Sequence, residues 1–320
     1  MIYLDEGLLK RFETNWNENI NVIENTVNLL HTGDFAQPLK PYLKFQDPQN
    51  RFIAMPAYVG GEHSVAGIKW IGSFPKNTQI GLRRAQSITV LNHSETGVPL
   101  SIINTSLISV LRTAAVSGLM VKYYEKFAGV SKRTLGVIGF GPIGQMHVEM
   151  ITKLLGDRLS KILLYDVAGI QKENLPYEIR DITVICNNWQ EVYDESDIFI
   201  TATVSAEGYI DRAPKKKALL LNVSLRDFKP EILKYTKSIV VDDWDEVCRA
   251  NTDIDVMHTN GRLEKKDTKS IIDVVCGNAL DDLSREDAVM FNPMGMAVFD
   301  IAIAHHYYLK ATEQGIGITL

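Results

Sequence analysis

The sequence predicts an α/β protein, with a doubly wound parallel sheet in one domain and an α+β arrangement in a second. Three observations lead to this prediction. A strand pattern, a glycine-rich turn and a helix pattern follow one another from residue 134. Strand and helix patterns then alternate as far as residue 241. By contrast, residues 36–100 contain short β-rich segments separated by Gly, Pro and Asn turns.

The glycine-rich turn is the most informative stretch. The apolar segment Thr134–Ile138 leads into three glycines with the spacing GxGxxG, and a helical pattern follows. In a dinucleotide-binding turn the first glycine permits the tight bend, the second lets the backbone approach a pyrophosphate, and the third lets helix pack on strand. The pyrophosphate then lies on unpaired N–H groups at the helix N-terminus. The predicted cofactor-binding residues of this Rossmann-type turn are Gly139, Phe140, Gly141, Pro142, Ile143 and Gly144.

An acidic residue at the end of the next predicted strand supports a dinucleotide site. The segment Lys161–Asp166 ends in an aspartate 22 residues after Gly144, where a carboxylate hydrogen-bonds the adenosine ribose. Such a carboxylate favours NAD over NADP, because it would repel a 2′-phosphate. The alternative is a purely structural glycine turn with an unrelated aspartate.

Composition excludes several other classes of protein. The 320 residues are 45% hydrophobic, enough for a large core in two domains, and the net charge of −5 favours neither nucleic acid nor anionic membrane. No apolar stretch approaches the roughly 20 residues of a membrane span. The N-terminus does not resemble a signal peptide, and three dispersed cysteines suggest neither disulfides nor a zinc site. We therefore expect a cytoplasmic protein without a metal.

The first 100 residues contain one lysine of interest. After a helical stretch that extends to about residue 35, segments such as 51–55, 64–71 and 87–91 predict an antiparallel sheet. Alternation along the second segment places Lys69 on the same face as Val65 and Ile71. Lys69 is then either a charge on an edge strand that reaches water or an anion-binding group inside a pocket.

A long helix over residues 106–128 carries a narrow polar stripe. Ser109, Arg112, Thr113 and Ser117 share one side, and Arg112 is the only charged residue between Leu107 and Val121. An arginine among small hydroxyls suggests a wall that receives a carboxylate or phosphate. A buried structural ion pair is the alternative.

The remaining chain supplies further strands and a second long helix. Strands are predicted at 182–186, 197–202, 218–223 and 238–241. Hydroxyls in the segment Thr201–Ser205 would either contact the cofactor or cap the next segment. Asn292 and Pro293 predict the start of a buried helix that contains Asp300. The neighbouring His305 and His306 lack the spacing of a metal site.

The order of these features resembles the ornithine cyclodeaminase/μ-crystallin family over essentially the whole chain. The similarity rests on the β-rich first part, the arginine helix Leu111–Ala115, the Rossmann turn, and a C-terminal Gly-Met-Ala-x-x-Asp helix. It implies a substrate-binding and dimerisation domain at 1–116 and 298–320, and an NAD-binding domain at 117–297. It also implies that further residues contact the cofactor, namely Arg112, Thr113, Thr203, Val204, Ser224, Met294 and Gly295.

Within that family, several segments resemble the dehydrogenases of 2,3-diaminopropionate biosynthesis, which serve siderophore and peptide-antibiotic pathways. They include Gln37–Leu43, Gly60–His63, Gly67–Ser73, Val241–Trp244 and Asn292–Ala297. The resemblance implies NAD-dependent oxidation of N-(2-amino-2-carboxyethyl)-L-glutamate, followed by hydrolysis to 2-oxoglutarate and L-2,3-diaminopropionate. It also implies a homodimer and a pyridoxal-phosphate-dependent synthase as pathway partner. Ketimine reductase, alanine-type dehydrogenase and ornithine cyclodeaminase activities are alternatives, as is a binding protein without catalysis.

Two departures argue against cyclisation of ornithine. Ala54 stands where cyclodeaminases of the family have a glutamate. Counting back from Glu231 places Leu225 at the position of their aspartate, and Asp227 is nearby but out of register.

The resemblance assigns roles to the charged residues. Lys69 would anchor a carboxylate beside the reacting carbon, Arg112 would bridge a carboxylate and the cofactor phosphate, and Lys40 would bind a distal carboxylate. The general base is left open between Asp300, His63 and the substrate's own carboxylates. His63 is therefore also a candidate for substrate binding.

Overall fold

The computed structural model describes residues 1–47 and 49–320. The strands in these residues are β1 Ile2–Asp5, β2 Phe35–Ala36, β3 Tyr42–Lys44, β4 Arg51–Val59, β5 Val65–Ser73, β6 Ala85–His93, β7 Pro99–Asn104, β8 Arg133–Ile138, β9 Leu159–Tyr165, β10 Thr183–Ile185, β11 Ile198–Thr201, β12 Leu219–Asn222, β13 Ser238–Val241, β14 Thr268–Ser270, β15 Val289–Asn292 and β16 Ile318–Thr319. The α-helices are α1 Glu6–Leu9, α2 Trp16–Thr32, α3 Leu107–Ala128, α4 Pro142–Leu155, α5 Tyr177–Arg180, α6 Trp189–Glu195, α7 Trp244–Val247, α8 Asp253–Thr259, α9 Ile271–Gly277 and α10 Ala297–Glu313. No helix in the described part of the chain is long and apolar enough to cross a membrane.

The chain divides into two compact units. Unit 1 comprises residues 1–113 and 295–320, and unit 2 comprises residues 114–294. The division falls within α3, between Thr113 and Ala114. The sequence places both boundaries three residues further along the chain, at 116/117 and 297/298.

Unit 1 is built on an eight-stranded sheet in the order β16-β1-β7-β6-β5-β4-β2, with β3 also paired to β4. All its pairs are antiparallel except β1 with β7. One face is buried, and α10 packs against it over β4, β5 and β6 while contacting α2. Alternating residues supply that face, among them Met55, Ala57, Val59, Val65, Lys69, Thr89, Leu91 and Ile103. The charged Lys69 therefore belongs to an otherwise largely apolar layer.

Unit 2 contains a parallel sheet in the order β10-β9-β8-β11-β12-β15-β13-β14. Every pair in it is parallel. Strands β11, β12, β13 and β15 are buried at every position, as in sheets that are covered on both faces. The first five strands follow the order 3-2-1-4-5 of a doubly wound dinucleotide-binding fold, which confirms the predicted fold class.

Two expectations are corrected by the structure. Asn292 does not start a helix: it ends the buried strand β15, and α10 begins at Ala297 after a turn in which Gly295 has a φ of +84°. The local signal misled because Asn and Pro after a strand also mark a loop. Lys69 is not an edge-strand charge, because β5 is paired on both sides, with β4 and β6.

Candidate active site

Unit 1 contains a fully buried carboxylate. Asp300 is in the first turn of α10 and is 0% exposed. Its Oδ1 accepts from three donors: Lys69 Nζ at 2.8 Å, Arg112 Nε at 3.2 Å and Ser109 Oγ at 3.3 Å. Strand β5 supplies the lysine, while α3 supplies the other two residues one turn apart. The structure therefore brings together the predicted residues Lys69, Arg112 and Asp300.

The second oxygen of Asp300 has no such partners. Asp300 Oδ2 is buried and makes no hydrogen bond to any residue that the structure describes. A buried polar atom without a partner is rare, and an ionised one costs more free energy than a neutral one. Burial alone would raise the pKa of Asp300, but the charges of Arg112 and Lys69 outweigh burial and lower it. The carboxylate therefore stays ionised, and its Oδ2 keeps an unused capacity to accept hydrogen bonds.

Lys69 is perturbed in the opposite sense. Its side chain is 2% exposed, and burial lowers its pKa from 10.5 to about 8, with the charges of Arg112 and Lys40 adding to the effect and Asp300 opposing it. Its cross-strand neighbour Thr89 is fully buried, and Thr89 Oγ1 has no hydrogen-bond partner among the described residues. The ammonium group thus lies in a dry environment, where its interaction with an anion would be strong.

Gly295 connects the remaining two cations of this cluster. Lys40 Nζ donates to the Gly295 carbonyl at 2.7 Å, and Lys40 is 5% exposed. A Cβ on Gly295 would lie 2.2 Å from Arg112 Nη1, so the guanidinium occupies the space that a side chain would need. Only the Nε of Arg112 has a hydrogen-bond partner in the described chain, which leaves both Nη atoms available to an anion.

His63 has a different environment. Its Nδ1 lies 3.3 Å from Nδ1 of His305, and the two rings meet edge to face. His305 follows Asp300 by five residues of α10, which is about 7.5 Å along the helix axis. Burial lowers the pKa of His63 and lowers that of His305 to about 4, so both imidazoles are neutral at pH 7. The structure thus places His63 with His305 rather than with the Lys69–Asp300 pair.

The glycine turn of unit 2 has the geometry of a pyrophosphate site. Gly139 has a φ of +87°, and a Cβ there would lie 2.4 Å from the Ala202 carbonyl oxygen. A Cβ on Gly144 would lie 2.0 Å from the Gly139 carbonyl oxygen, whereas the Cβ position of Gly141 has nothing within 4 Å. Helix α4 starts at Pro142 without a side-chain cap, so its first N–H groups are available to an anion. These residues fit the pyrophosphate of a dinucleotide.

Asp166 closes the same turn. It follows β9 directly, and its Oδ2 accepts from the Phe140 backbone N–H at 2.6 Å. Its Oδ1 accepts from the Ala168 N–H at 2.8 Å. Each carboxylate oxygen can accept again, so the predicted contact with ribose hydroxyls is compatible with these bonds.

The other residues predicted to contact cofactor differ in their surroundings. Thr203 Oγ1 and Ser224 Oγ both donate to Asp227, the first at 2.5 Å, while Val204 is 72% exposed. Thr113 Oγ1 donates to the Ser109 carbonyl at 2.6 Å. In unit 2, the Met294 N–H donates to an Asp242 carboxylate oxygen at 3.0 Å.

The sequence assigns no role in binding or catalysis to several residues of these clusters. Ser109 belonged to the polar stripe, and its contact with Asp300 could have been anticipated. Gln37 Oε1 accepts from the Val298 N–H at 3.2 Å and so caps the first turn of α10, for which Met296 offers no side-chain acceptor. Tyr209 and Asp253 gather around Asp227 only through the fold. No local pattern marks these last two.

Comparisons with known proteins identify the family of this chain. The ornithine cyclodeaminase/mu-crystallin family profile matches residues 10–315. The chain is 31% identical to N-((2S)-2-amino-2-carboxyethyl)-L-glutamate dehydrogenase of Staphylococcus aureus, over 100% of this chain and 98% of the relative. An archaeal alanine dehydrogenase dimer with bound NAD has a TM-score of 0.84 at 25% identity, covering 100% of this chain and 98% of that one. A Thermococcus litoralis Δ1-pyrroline-2-carboxylate reductase, solved with NADH and L-proline, has a TM-score of 0.87 at 22% identity and covers both chains fully. The chain belongs to the ornithine cyclodeaminase/mu-crystallin family.

Proposed function

We propose that this chain oxidises N-(2-amino-2-carboxyethyl)-L-glutamate with NAD and hydrolyses the resulting imine to 2-oxoglutarate and L-2,3-diaminopropionate. The chain is an NAD-dependent oxidoreductase that acts on an amino-acid-like substrate. One observation carries the proposed substrate class. Buried Asp300 has a free oxygen, and the cations Lys69 and Arg112 lie beside its other oxygen.

This arrangement is complementary to an amino acid. The Nη atoms of Arg112 and the ammonium of Lys69 can bind a carboxylate, and Asp300 Oδ2 can accept from the nitrogen on the adjacent carbon. Lys69 and Arg112 carry two positive charges against the one negative charge of Asp300. The excess favours an anionic substrate, and the proposed conjugate, with three carboxylates and two amines, carries a net negative charge. Alanine, as a zwitterion, carries none.

In this reaction the protein mainly orients the substrate and supplies the charged groups that bind it. NAD, when bound, accepts the hydride that leaves the glutamyl Cα. The secondary amine loses its proton, and a C=N bond forms between its nitrogen and the glutamyl Cα. Water then adds to this Cα, the C–N bond breaks, and 2-oxoglutarate and L-2,3-diaminopropionate are released. Held by Lys69 and Arg112, the neighbouring carboxylate would fix the Cα–H bond in one orientation.

Proton transfer is the step that the geometry constrains least. Oδ1 of Asp300 is saturated by three donors, and the lowered pKa makes this carboxylate a weak base. Its free Oδ2 is still suited to orienting the substrate N–H. We therefore propose Asp300 as the group that positions the amine, with a substrate carboxylate or a water receiving the proton.

The decisive experiment is an absorbance assay for NADH with the synthetic conjugate, compared with ornithine, alanine and glutamate at equal concentration. The proposal requires NADH formation with the conjugate and equimolar 2-oxoglutarate. NADH formed only with alanine would instead establish an alanine-type dehydrogenase. Proline and ammonia formed from ornithine without net NADH would establish a cyclodeaminase, and NAD binding without turnover of any substrate would establish a binding protein. Oxidation of NADH by cyclic imino acids alone would establish a ketimine reductase.

The chemistry of the substrate also places the reaction in a sequence. In the conjugate, the glutamate nitrogen is bonded to the Cβ of a serine-derived residue. A β-replacement reaction makes such a bond. We propose that a pyridoxal-phosphate-dependent synthase supplies the conjugate, and that the diaminopropionate product enters siderophore or peptide-antibiotic assembly. Purified synthase and this enzyme together should convert O-phosphoserine and glutamate to diaminopropionate with NADH formation.

We also propose a homodimer formed through the second face of the unit 1 sheet. This face is apolar and only half-buried, and Phe52 stacks on Trp70 with ring centroids 5.1 Å apart while meeting Phe74 edge to face. A contiguous apolar face of this kind usually marks an interface. The archaeal alanine dehydrogenase relative is a dimer. Light scattering should give twice the chain mass, and Trp70→Glu should give the monomer mass.

A further inference from the structure

A second buried carboxylate, Asp227 of unit 2, collects three hydroxyl groups. Asp227 is 0% exposed. Its Oδ1 accepts from Thr203 Oγ1 at 2.5 Å and from Tyr209 Oη at 3.0 Å, and its Oδ2 accepts from Ser224 Oγ. Thr203 and Ser224 follow the carboxyl ends of the adjacent strands β11 and β12, which is the edge where open parallel sheets bind their ligands.

Asp227 is itself held by the surrounding backbone. Its carbonyl oxygen accepts from the N–H groups of Tyr209 and Ile210, both at 2.8 Å. Its own N–H donates to Asp253 Oδ2 at 3.2 Å, and Asn222 Nδ2 donates to the same oxygen at 2.9 Å. These bonds fix the backbone of Asp227, and its buried carboxylate is bonded by the three hydroxyls.

The Asp227 carboxylate determines the direction of the hydroxyl protons around it. A hydroxyl has one proton and two lone pairs, and a carboxylate can only accept. The Thr203 and Ser224 protons therefore point at Asp227. The Thr203 oxygen also accepts from the Ser205 N–H at 3.1 Å, and burial together with the charge of Asp227 raises the pKa of Tyr209, which keeps its phenol protonated. The Thr203 and Ser224 hydroxyls can therefore accept hydrogen bonds from a ligand but cannot donate one.

We propose that Asp227 is a positioning residue that holds the Thr203 and Ser224 hydroxyls as hydrogen-bond acceptors for NAD. This inference rests on the proposed cofactor site. It defines what the two hydroxyls can recognise, namely the donating groups of the nicotinamide half, which are ribose hydroxyls and the carboxamide NH₂. It also gives Asp227 a role that does not require the residue to touch substrate.

The test is NADH binding by fluorescence in the absence of substrate, for wild type, Asp227→Asn, Thr203→Val and the double variant. An asparagine must turn its NH₂ towards at least one hydroxyl, and that hydroxyl then reverses. We expect the Kd of Asp227→Asn to rise about tenfold, which corresponds to the loss of roughly one hydrogen bond. Because Asp227 acts through Thr203, the double variant should bind more tightly than the two single losses predict.

Asp211→Asn is the matched control, because Asp211 forms an exposed ion pair with Lys229 at 2.8 Å and should keep the wild-type Kd. A lowered Tm for Asp227→Asn with an unchanged Kd, or strictly additive effects, would overturn the proposal. Should Asp227→Asn fail to fold, Thr203→Val and Ser224→Ala decide the question: weaker NADH binding supports it and wild-type binding overturns it. Failure of the wild type to bind NADH would refute the cofactor assignment itself, which is a separate result.

Discussion

Each unit contains one carboxylate that is completely buried among three donors, and the donors differ. Around Asp300 in unit 1 they are a lysine, an arginine and a serine. Around Asp227 in unit 2 they are the hydroxyls of Thr203, Tyr209 and Ser224. The first carboxylate is surrounded by excess positive charge and has a free oxygen, whereas both oxygens of the second accept from neutral groups.

The difference shows two ways of preparing a polar site. Charged donors leave a strong field that an anionic substrate can neutralise, and their cost is desolvation, seen in the lowered pKa of Lys69. Neutral donors add no positive charge to the site, but their protons take a fixed direction towards the carboxylate. Substitutions around Asp300 should therefore change substrate use and stability, and those around Asp227 should change cofactor binding.

The largest effect is expected for Asp300→Ala. It leaves Lys69 and Arg112 buried without their counter-ion, and removing one partner of a buried pair costs about 3–5 kcal/mol of stability. Urea unfolding measures this loss, and kcat/KM should become too low to detect. Asp300→Asn, which keeps the shape, should recover part of the stability without activity. Wild-type stability in Asp300→Ala would contradict the central role of this carboxylate.

Next in size is Lys69→Met, which keeps the length of the side chain and removes its charge. Losing one buried charged partner of the substrate should cost about 2–5 kcal/mol, or at least roughly a 30-fold fall in kcat/KM. NADH binding should stay at the wild-type Kd, because the glycine turn belongs to unit 2. A matching loss of NADH affinity would break the proposed separation of roles.

The pH dependence of Lys69 gives an intermediate effect. Its folded pKa of about 8 is below the unfolded value of 10.5, so the unfolded chain binds more protons between these values. Stability should therefore rise with pH in that window, relative to Lys69→Met. Substrate KM should increase above pH 8 as the anchoring charge is lost. A kcat/KM that instead rises to a plateau above pH 8 would identify Lys69 as a base.

A smaller loss is expected for Gly295→Ala. The φ of +84° strains any other residue, and the added Cβ would displace the Arg112 guanidinium. We expect a stability loss of about 1–3 kcal/mol and a higher substrate KM. Gly315→Ala is the control, because Gly315 has a φ of +63° with open space around its Cβ, so it should lose stability without a change in KM.

The smallest effect is expected for His63→Gln. Because His63 contacts His305 rather than Asp300, substrate KM should stay within about threefold of wild type, a change worth under 1 kcal/mol. Steady-state kinetics measure this directly. A tenfold or larger increase in KM would instead support the sequence-based assignment of His63 to the substrate.

The sequence predicts those features of the structure that depend on residues close together in the chain. The turn Gly139–Gly144 and the carboxylate at Asp166 follow from spacing, since each depends on neighbours within one βαβ unit. The stripe that contains Arg112 follows from helical periodicity. All of these appear in the structure at the predicted positions, although their roles in binding remain predictions.

Long-range contacts were harder to predict. Lys69 and Asp300 are 231 residues apart, and only the packing of α10 on β5 shows that they form a pair. Counting along the chain pointed to Leu225, but that residue has a φ of +61° and its side chain enters the core, while Asp227 turns towards the hydroxyls. Neither the Lys69–Asp300 pair nor the contacts of Asp227 follow from a sequence pattern.

Strand β15 and helix α10 have a consequence for the order of folding. β15 inserts between β12 and β13, although it follows both in the chain, and α10 brings Asp300 to β4, β5 and β6, which precede it by more than 200 residues. During synthesis neither unit can therefore complete its fold before residues 289–313 have been made. Until these arrive, Lys69 has no counter-ion and the parallel sheet has a gap, so a nascent chain would depend on protection from aggregation for most of its translation.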